Sequence, residues 1–267
     1  MMMKKLLALL LATVLVLSLS ACNKESEDKK IEEIKEAGVL VVGTSADYPP
    51  AEFHMEVDGV DTIVGYDIAL AQYIADDLGV ELKVVDMAFE SLCISLSQGD
   101  FDLVLSGMSE TPDRAEAIDF TSPYYVGEQL VLVRSEDADS YNTTDDLAGK
   151  KVAIQRGTIQ EPIAKELFGE ENVVALVKNQ DVILELQNGK VDVAFIDGIV
   201  SMAFAAANPD IVVKDVGIES TTNGQSIGVQ KGKDNFKEYL NGIVEKVLED
   251  GTMDQFMAEA QLLAGIE

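Results

Sequence analysis

A chain of 267 residues has room for one large domain or for two lobes with separate cores. Its 48 acidic residues against 20 basic ones give a formal net charge of −28. That balance excludes nucleic-acid binding through phosphates, and it repels the body from anionic lipid headgroups, so any membrane attachment must come from something other than charge.

The first 22 residues supply a candidate. Lys4 and Lys5 form a short basic region, residues 6–17 an apolar core too short to be read as a membrane span, and Leu19, Ser20 and Ala21 end it in small residues before Cys22. This is an export signal. The run Leu-Ser-Ala-Cys resembles a bacterial lipobox, which implies cleavage after residue 21 and a diacylglyceryl thioether on Cys22. The alternative is an ordinary secretory peptide cut at the same place, leaving Cys22 a free thiol. Residues 22–37 are then the modified cysteine, a polar flexible tether (NKESEDKKI) and a short first helix stopped by Gly38. Cys93, in an apolar run, is the only other cysteine, so the exported body has no internal disulfide, and this thiol is expected buried and inert. The lone His54 cannot build a histidine-rich metal site and is expected in a loop.

From residue 39 the pattern is strand, loop, helix. Residues 39–43 are a β-branched strand, TSADYPPAEF a loop broken by two prolines, Asp58 and Gly59 a turn, and residues 62–65 a short returning strand. Apolar residues at Ile68, Leu70, Ala71, Ile74, Ala75 and Leu78 predict an amphipathic helix over 67–78, stopped by Gly79. A strand over 80–85, a helix from Phe89 to a stop at Gly99, and a strand over 101–105 follow. This alternation predicts a mostly parallel sheet covered on both faces. Residues 129–134 are a strand that carries the chain out of this unit.

A second unit of the same kind begins near Leu147. It has strands over 151–154, 173–177 and 191–196, helices over 160–167, 181–187 and 200–207, and a tight turn at Arg156, Gly157 and Thr158. After it, a strand over 226–230 and helices over 236–248 and 253–263 are too little for a third domain and return to the first unit.

The chemistry concentrates in SGMSETPDR. Ser106, Gly107, Met108 and Ser109 follow a strand, and a loop at the carboxyl end of a strand in an open α/β sheet is where small ligands dock. Gly107 lets a ligand approach the backbone, and the hydroxyls or amides of Ser106 and Ser109 can donate. Arg114 offers a planar fork matched to a carboxylate. Taken alone, Arg114 reads rather as a solvated helix residue paired with Glu110 or Glu116.

VGYDIALAQYIADDLG, FESLCISLSQGDFDLVLSGMSETPDRAEAIDFTSPYY, DLAGKKVAIQRGT and GKVDVAFID, in this order and spacing, resemble the polar-amino-acid-binding proteins of ABC importers. The resemblance implies an α/β fold of the type II periplasmic-binding-protein kind. Lobe 1 is expected over 38–127 and 225–267 and lobe 2 over 128–224, joined by two crossover segments, with ligand between them. It implies that Arg114 takes an amino acid's α-carboxylate, with Ser109 and the Gly107 amide as further donors. Gly157, Thr158 and Ile159 then turn amides toward the same carboxylate from a helix N-terminus, and Asp197 takes the ammonium. Tyr48 and Phe89 wall the side-chain pocket. Ser45 stands where several members carry an aspartate, so side-chain charge would have to come from Asp47, Glu52 or Glu90; with Ser45 and Gln155 as the main polar groups, a neutral ligand such as glutamine fits equally well. Taken singly, Asp197 reads as a turn residue, Thr158 as a helix cap, and Tyr48 and Phe89 as core.

The implied protein is a monomeric, lipid-anchored receptor for arginine, lysine or glutamine that needs no cofactor or metal and delivers its ligand to a membrane permease and ATPase. Two alternatives share the fold. One is an amino acid-sensing module, although no membrane span or signalling domain is recognised after residue 22. The other is a cyclohexadienyl or arogenate dehydratase, for which no second acid or base position can be assigned.

Overall fold

A computed structural model of the protein describes residues 28–266; the predicted leader, Cys22 and most of the tether lie outside the described residues. The chain enters through α1 (Lys30–Ala37) and β1 (Val39–Thr44), then forms β2 (Asp47–Tyr48), β3 (Glu52–Val57) and β4 (Val60–Val64). It continues through α2 (Tyr66–Leu78), β5 (Glu81–Asp86), α3 (Leu92–Gln98), β6 (Leu103–Val104), α4 (Pro112–Ala117) and β7 (Ile118–Tyr125). The second unit holds β8 (Gln129–Arg134), β9 (Val152–Gln155), α5 (Gln160–Phe168), β10 (Val173–Leu176), α6 (Asn179–Gln187), β11 (Val193–Asp197), α7 (Gly198–Ala207) and β12 (Ile211–Ile218). β13 (Gln225–Gln230), α8 (Asp234–Glu249) and α9 (Thr252–Leu263) complete it.

Two five-stranded sheets result, in the orders β5-β1-β6-β13-β7 and β10-β9-β11-β8-β12. Strands cross from one sheet's unit to the other at residues 126–128 and 219–224, which gives the two-lobed type II periplasmic-binding-protein architecture. The sheets are mixed rather than mostly parallel. In each, two strand pairs are parallel and two antiparallel. The reason is the crossovers: β8 and β13 each enter from the opposite lobe, at the end where their neighbours finish, and therefore run against them. Gly224 marks where the crossovers touch, since a Cβ there would stand 2.3 Å from the Tyr125 carbonyl oxygen.

Apolar residues cover both faces of each sheet. Leu40, Tyr66, Leu70, Ile74, Ile227 and Phe236 pack one face in lobe 1, and Leu92, Leu96, Phe101 and Val104 the other. In lobe 2, Ile183, Leu186, Ile196 and Val200 oppose Val131, Val152, Ile154 and Phe168. The predicted period of α2 is the buried one, with Leu70, Ala71, Ile74, Ala75 and Leu78 inside and Gly79 closing the helix at φ 73°.

Several elements differ from expectation. The stretch read as a proline-broken loop contains β2 and the start of β3, part of a three-stranded antiparallel sheet. His54 therefore sits in a strand, its ring between Asp61 (3.0 Å) and Asp86 (3.4 Å). β12 is absent from the sequence reading because Lys214 and Asp215 break its apolar run, and its register shifts after Lys214. The strand expected over 101–105 pairs only at Leu103 and Val104.

Candidate ligand-binding site

β1, β6, β9 and β11 all end at the cleft between the lobes, so the loops that follow them face one another. From lobe 1 the cleft is lined by Ser45, Tyr48, Glu52, Phe89, Gly107, Ser109 and Arg114; from lobe 2 by Gln155, Thr158, Ile159, Gln160 and Asp197. Eleven residues singled out from the sequence thus meet in one place. Ser106, Met108, Gly157, Asp47 and Glu90 do not line it.

Thr111 and Pro112 position Arg114. The Thr111 hydroxyl accepts from the Arg114 amide at 3.3 Å and Pro112 occupies the first helical turn, so α4 starts at a defined point and throws Arg114 into the cleft. The guanidinium donates to the carbonyls of Ser109 and, across the cleft at 2.8 Å, Gly157, and it lies 5.1 Å from the centre of the Phe89 ring. It makes no ion pair with Glu110 or Glu116.

Asp197 caps α7. The residue is 6 % exposed, and its carboxylate accepts one hydrogen bond, from the Ile199 amide at 3.3 Å. Among the described residues no cation pairs with it. Burial pushes its pKa up to about 7, against the opposing effect of that amide. Gly127 permits this placement, because a Cβ there would stand 2.9 Å from the carboxylate.

Two expected donors are redirected. The Gly107 amide donates to Asp67 at 2.8 Å and the Gly157 amide to Glu161 at 3.0 Å. Gly107 serves a different need: at φ 53° it sits so close to Tyr48 that a Cβ would be 2.6 Å from the ring. Ser106 turns inward, accepting from the Ser45 amide at 3.0 Å and donating to Glu52 at 2.9 Å. Met108 is buried in the core, its sulfur 3.5 Å from that of the half-buried Cys93, whose thiol burial pushes up.

The candidate specificity residues divide. Ser45 and Gln155 line the cleft. Asp47 instead bridges the lobes, accepting from the Asn179 amide at 2.7 Å and from the Gln155 side chain at 3.2 Å. Burial raises its pKa and these bonds oppose the rise. Glu90 lies at the rim, 3.5 Å from Arg156 of the other lobe. Gln160 was missed. It is buried, and its side-chain amide donates to Gln129 at 2.8 Å; its only sequence signal is its place as first residue of a helix after a glycine turn. No cluster of His, Cys, Asp and Glu suited to a metal occurs among the described residues.

Residues 40–260 match the family of bacterial extracellular solute-binding proteins, family 3. The chain is 33% identical to the arginine-binding extracellular protein ArtP of Bacillus subtilis, over 95% of this chain and 96% of that one. It is 31% identical to a probable histidine-binding protein of Campylobacter jejuni, over 97% of this chain and 100% of the other. A crystal structure of AbpA, an amino acid ABC transporter substrate-binding protein of Streptococcus pneumoniae bound to L-arginine, shares the fold with a TM-score of 0.84. Its identity is 37%, covering 88% of this chain and 99% of that one. All three are binding proteins, so the dehydratase alternative falls away. Two lobes, a cleft lined from both, and these relatives lead to one conclusion: the chain belongs to the bacterial extracellular solute-binding proteins of family 3, as an extracytoplasmic amino acid-binding protein of an ABC importer and not an enzyme.

Proposed function

We propose that the cleft captures a polar or basic L-amino acid, of the arginine, lysine or glutamine class, and that arginine is the first ligand to test. Arg114 would fork onto the α-carboxylate, with Ser109 and the Thr158 and Ile159 amides beside it; Asp197 would take the ammonium, and Tyr48 and Phe89 would hold the side chain. The observation that carries this reading is Asp197, a buried carboxylate facing the cleft from the lobe opposite Arg114 with no cation paired to it among the described residues. A buried charge needs a partner, and an amino acid brings one cation and one anion to the two groups present. Two of the relatives are described with arginine, which supports arginine within the class.

The wider reading keeps lobe 1 at 38–127 with 225–267 and lobe 2 at 128–224, closing as a hinge on the ligand for delivery to a permease with its ATPase. The lipobox-like run supports a lipid anchor on Cys22. Replacing Cys22 with Ser is expected to free the protein from membranes, and continued membrane fractionation would refute the anchor.

The test of the ligand is thermal unfolding of the body lacking residues 1–22, stripped of carried-over ligand by unfolding and refolding, against all twenty L-amino acids. A ligand at a hundred times its Kd stabilises by about 2.7 kcal/mol, and each kcal/mol moves Tm by about 2–4 °C in a chain of this size. A shift with one or a few polar or basic amino acids is expected. No shift with any of the twenty, from folded protein, overturns the proposal.

A further inference from the structure

Glu52, at the start of β3, and Asp67, in the first turn of α2, meet behind the cleft. Both are fully buried, and their side chains lie within hydrogen-bonding reach of each other. Glu52 Oε1 accepts from the Ser106 hydroxyl at 2.9 Å, while Asp67 Oδ2 accepts from the Gly107 amide at 2.8 Å and the Tyr124 hydroxyl at 2.9 Å. The two remaining oxygens, Glu52 Oε2 and Asp67 Oδ1, are buried and receive no hydrogen bond from any protein donor among the described residues.

Two ionised carboxylates in this position would set anion against anion, with two buried oxygens that no protein group satisfies. One proton resolves both problems. It belongs on Glu52, because Asp67 takes two donors, which favour its charged form, whereas Glu52 takes one. The titratable groups turned toward the pair, Asp47, Tyr48, Tyr66 and Tyr124, are acidic or neutral, and Arg114, which shares the cleft, makes no ion pair with Glu52.

We infer that Glu52 is a protonated carboxylic acid whose Oε2 donates to Asp67 Oδ1, and that this proton-sharing pair positions loop 106–109 of the cleft. Burial and the neighbouring carboxylate push Glu52 well above the usual range and burial raises Asp67 to about 7, the directions expected when two such groups compete for one proton. The hydrogen bonds then run without a break. The Ser45 amide donates to Ser106, Ser106 donates to Glu52, Glu52 donates to Asp67, and the Gly107 amide also donates to Asp67. Glu52 touches the cleft as a neutral group, so the cleft presents Arg114 and Asp197 as its charges, one for each end of an amino acid. That functional meaning rests on the proposed ligand reading; the proton itself does not.

The infrared difference spectrum of the unliganded protein, wild type minus Glu52→Gln at pH 8, tests the proton directly. The carbonyl stretch of a protonated carboxylic acid is expected in wild type and lost in the variant, with Asp197 common to both and cancelling. Absence of that band, or its survival in Glu52→Gln, overturns the inference. Positioning is tested with L-arginine as probe. Glu52→Gln, which can still accept from Ser106 and donate to Asp67, is expected to bind within about threefold of wild type, and Glu52→Ala at least about tenfold more weakly. A Glu52→Gln protein that folds but fails to bind overturns the positioning role. A wild-type protein that ignores L-arginine counts against the proposed ligand alone, and the infrared band then decides the shared proton.

Discussion

Asp47 and Asp197 are chemically the same group in nearly the same surroundings, and they are treated oppositely. Each is 6 % exposed, and each accepts an amide at the N-terminal end of a lobe 2 helix, Asp47 from the first residue of α6 and Asp197 from the second residue of α7. The helix dipole favours a negative charge at both places. Asp47, however, comes from lobe 1, and Asn179 and Gln155 surround it with donors, whereas Asp197 has one long bond at 3.3 Å. A carboxylate whose bonds are already made can hold the lobes together. One that faces the cleft with its bonds unmade is suited to an arriving cation.

The comparison breaks first at the ligand charges. Replacing Arg114 with Ala or Asp197 with Asn is expected to weaken binding by about 3–5 kcal/mol, roughly a hundredfold to several thousandfold in Kd, because each leaves one ligand charge buried without a partner. Calorimetric titration with the ligand found in the unfolding screen measures it, and near-normal affinity in either variant would remove that residue from the site. Asp197 carries a second signature. Its pKa of about 7 in the folded chain lies above the ordinary 3.8, so the native state holds the extra proton between these values and this group's contribution to stability falls as pH rises through that window. Asn cannot ionise, so Asp197→Asn is expected to melt higher than wild type at pH 8 while failing to bind. For the same reason wild-type affinity is expected to rise from pH 6 to 8, approaching tenfold per unit below 7 and flattening above it. A flat profile would mean that Asp197 is not what the ammonium meets.

A smaller effect is expected at Asp47. Asn keeps the shape but turns a donor toward Asn179 and Gln155, so Asp47→Asn loses charge-assisted bonds worth about 1.5–3 kcal/mol together. Since those bonds form only when the lobes meet, the loss falls on closure. Affinity is expected to drop roughly tenfold to a hundredfold, and small-angle scattering of the unliganded variant is expected to show a larger radius of gyration. Unchanged affinity and shape would mean that closure does not depend on this bridge.

The difference between these aspartates was not legible in the sequence. Both stand beside loops, and what separates them is Asn179, 132 residues from Asp47. The same distance problem hid the use of the Gly107 amide, whose acceptor Asp67 lies 40 residues away. What could be read was local or periodic: the buried stripe of α2 and its glycine stop, and strands whose ends collect loops in one cleft. Polar alternation concealed β3, since its EFHMEV run has only one fully buried residue, Glu52, and that residue is charged in ordinary company. β12 was lost to a charged pair at its middle. For the aspartates and the Gly107 amide the missing information was a partner far along the chain, which no window of sequence contains, whereas β3 and β12 were hidden by their own polar residues.

The finest test sets Asp47 against a second bridge that looks similar on paper. Glu90 and Arg156 also link the lobes, at 3.5 Å, but at the rim, where Arg156 is 47 % exposed and Glu90 35 %. Water and salt screen such a pair, and two long side chains lose freedom to make it, so it contributes at most about 1 kcal/mol. Arg156 also donates to the Ala175 carbonyl within its own lobe, so part of its hydrogen bonding is independent of closure. Arg156→Gln is therefore expected to change Kd less than about fivefold, and that change is expected to vanish in high salt. The Asp47→Asn deficit, made of dry hydrogen bonds, is expected to persist there. If the rim variant proved the more damaging of the two at high salt, closure would depend on the mouth of the cleft rather than on the buried carboxylate, and the contrast between Asp47 and Asp197 would lose its meaning for binding.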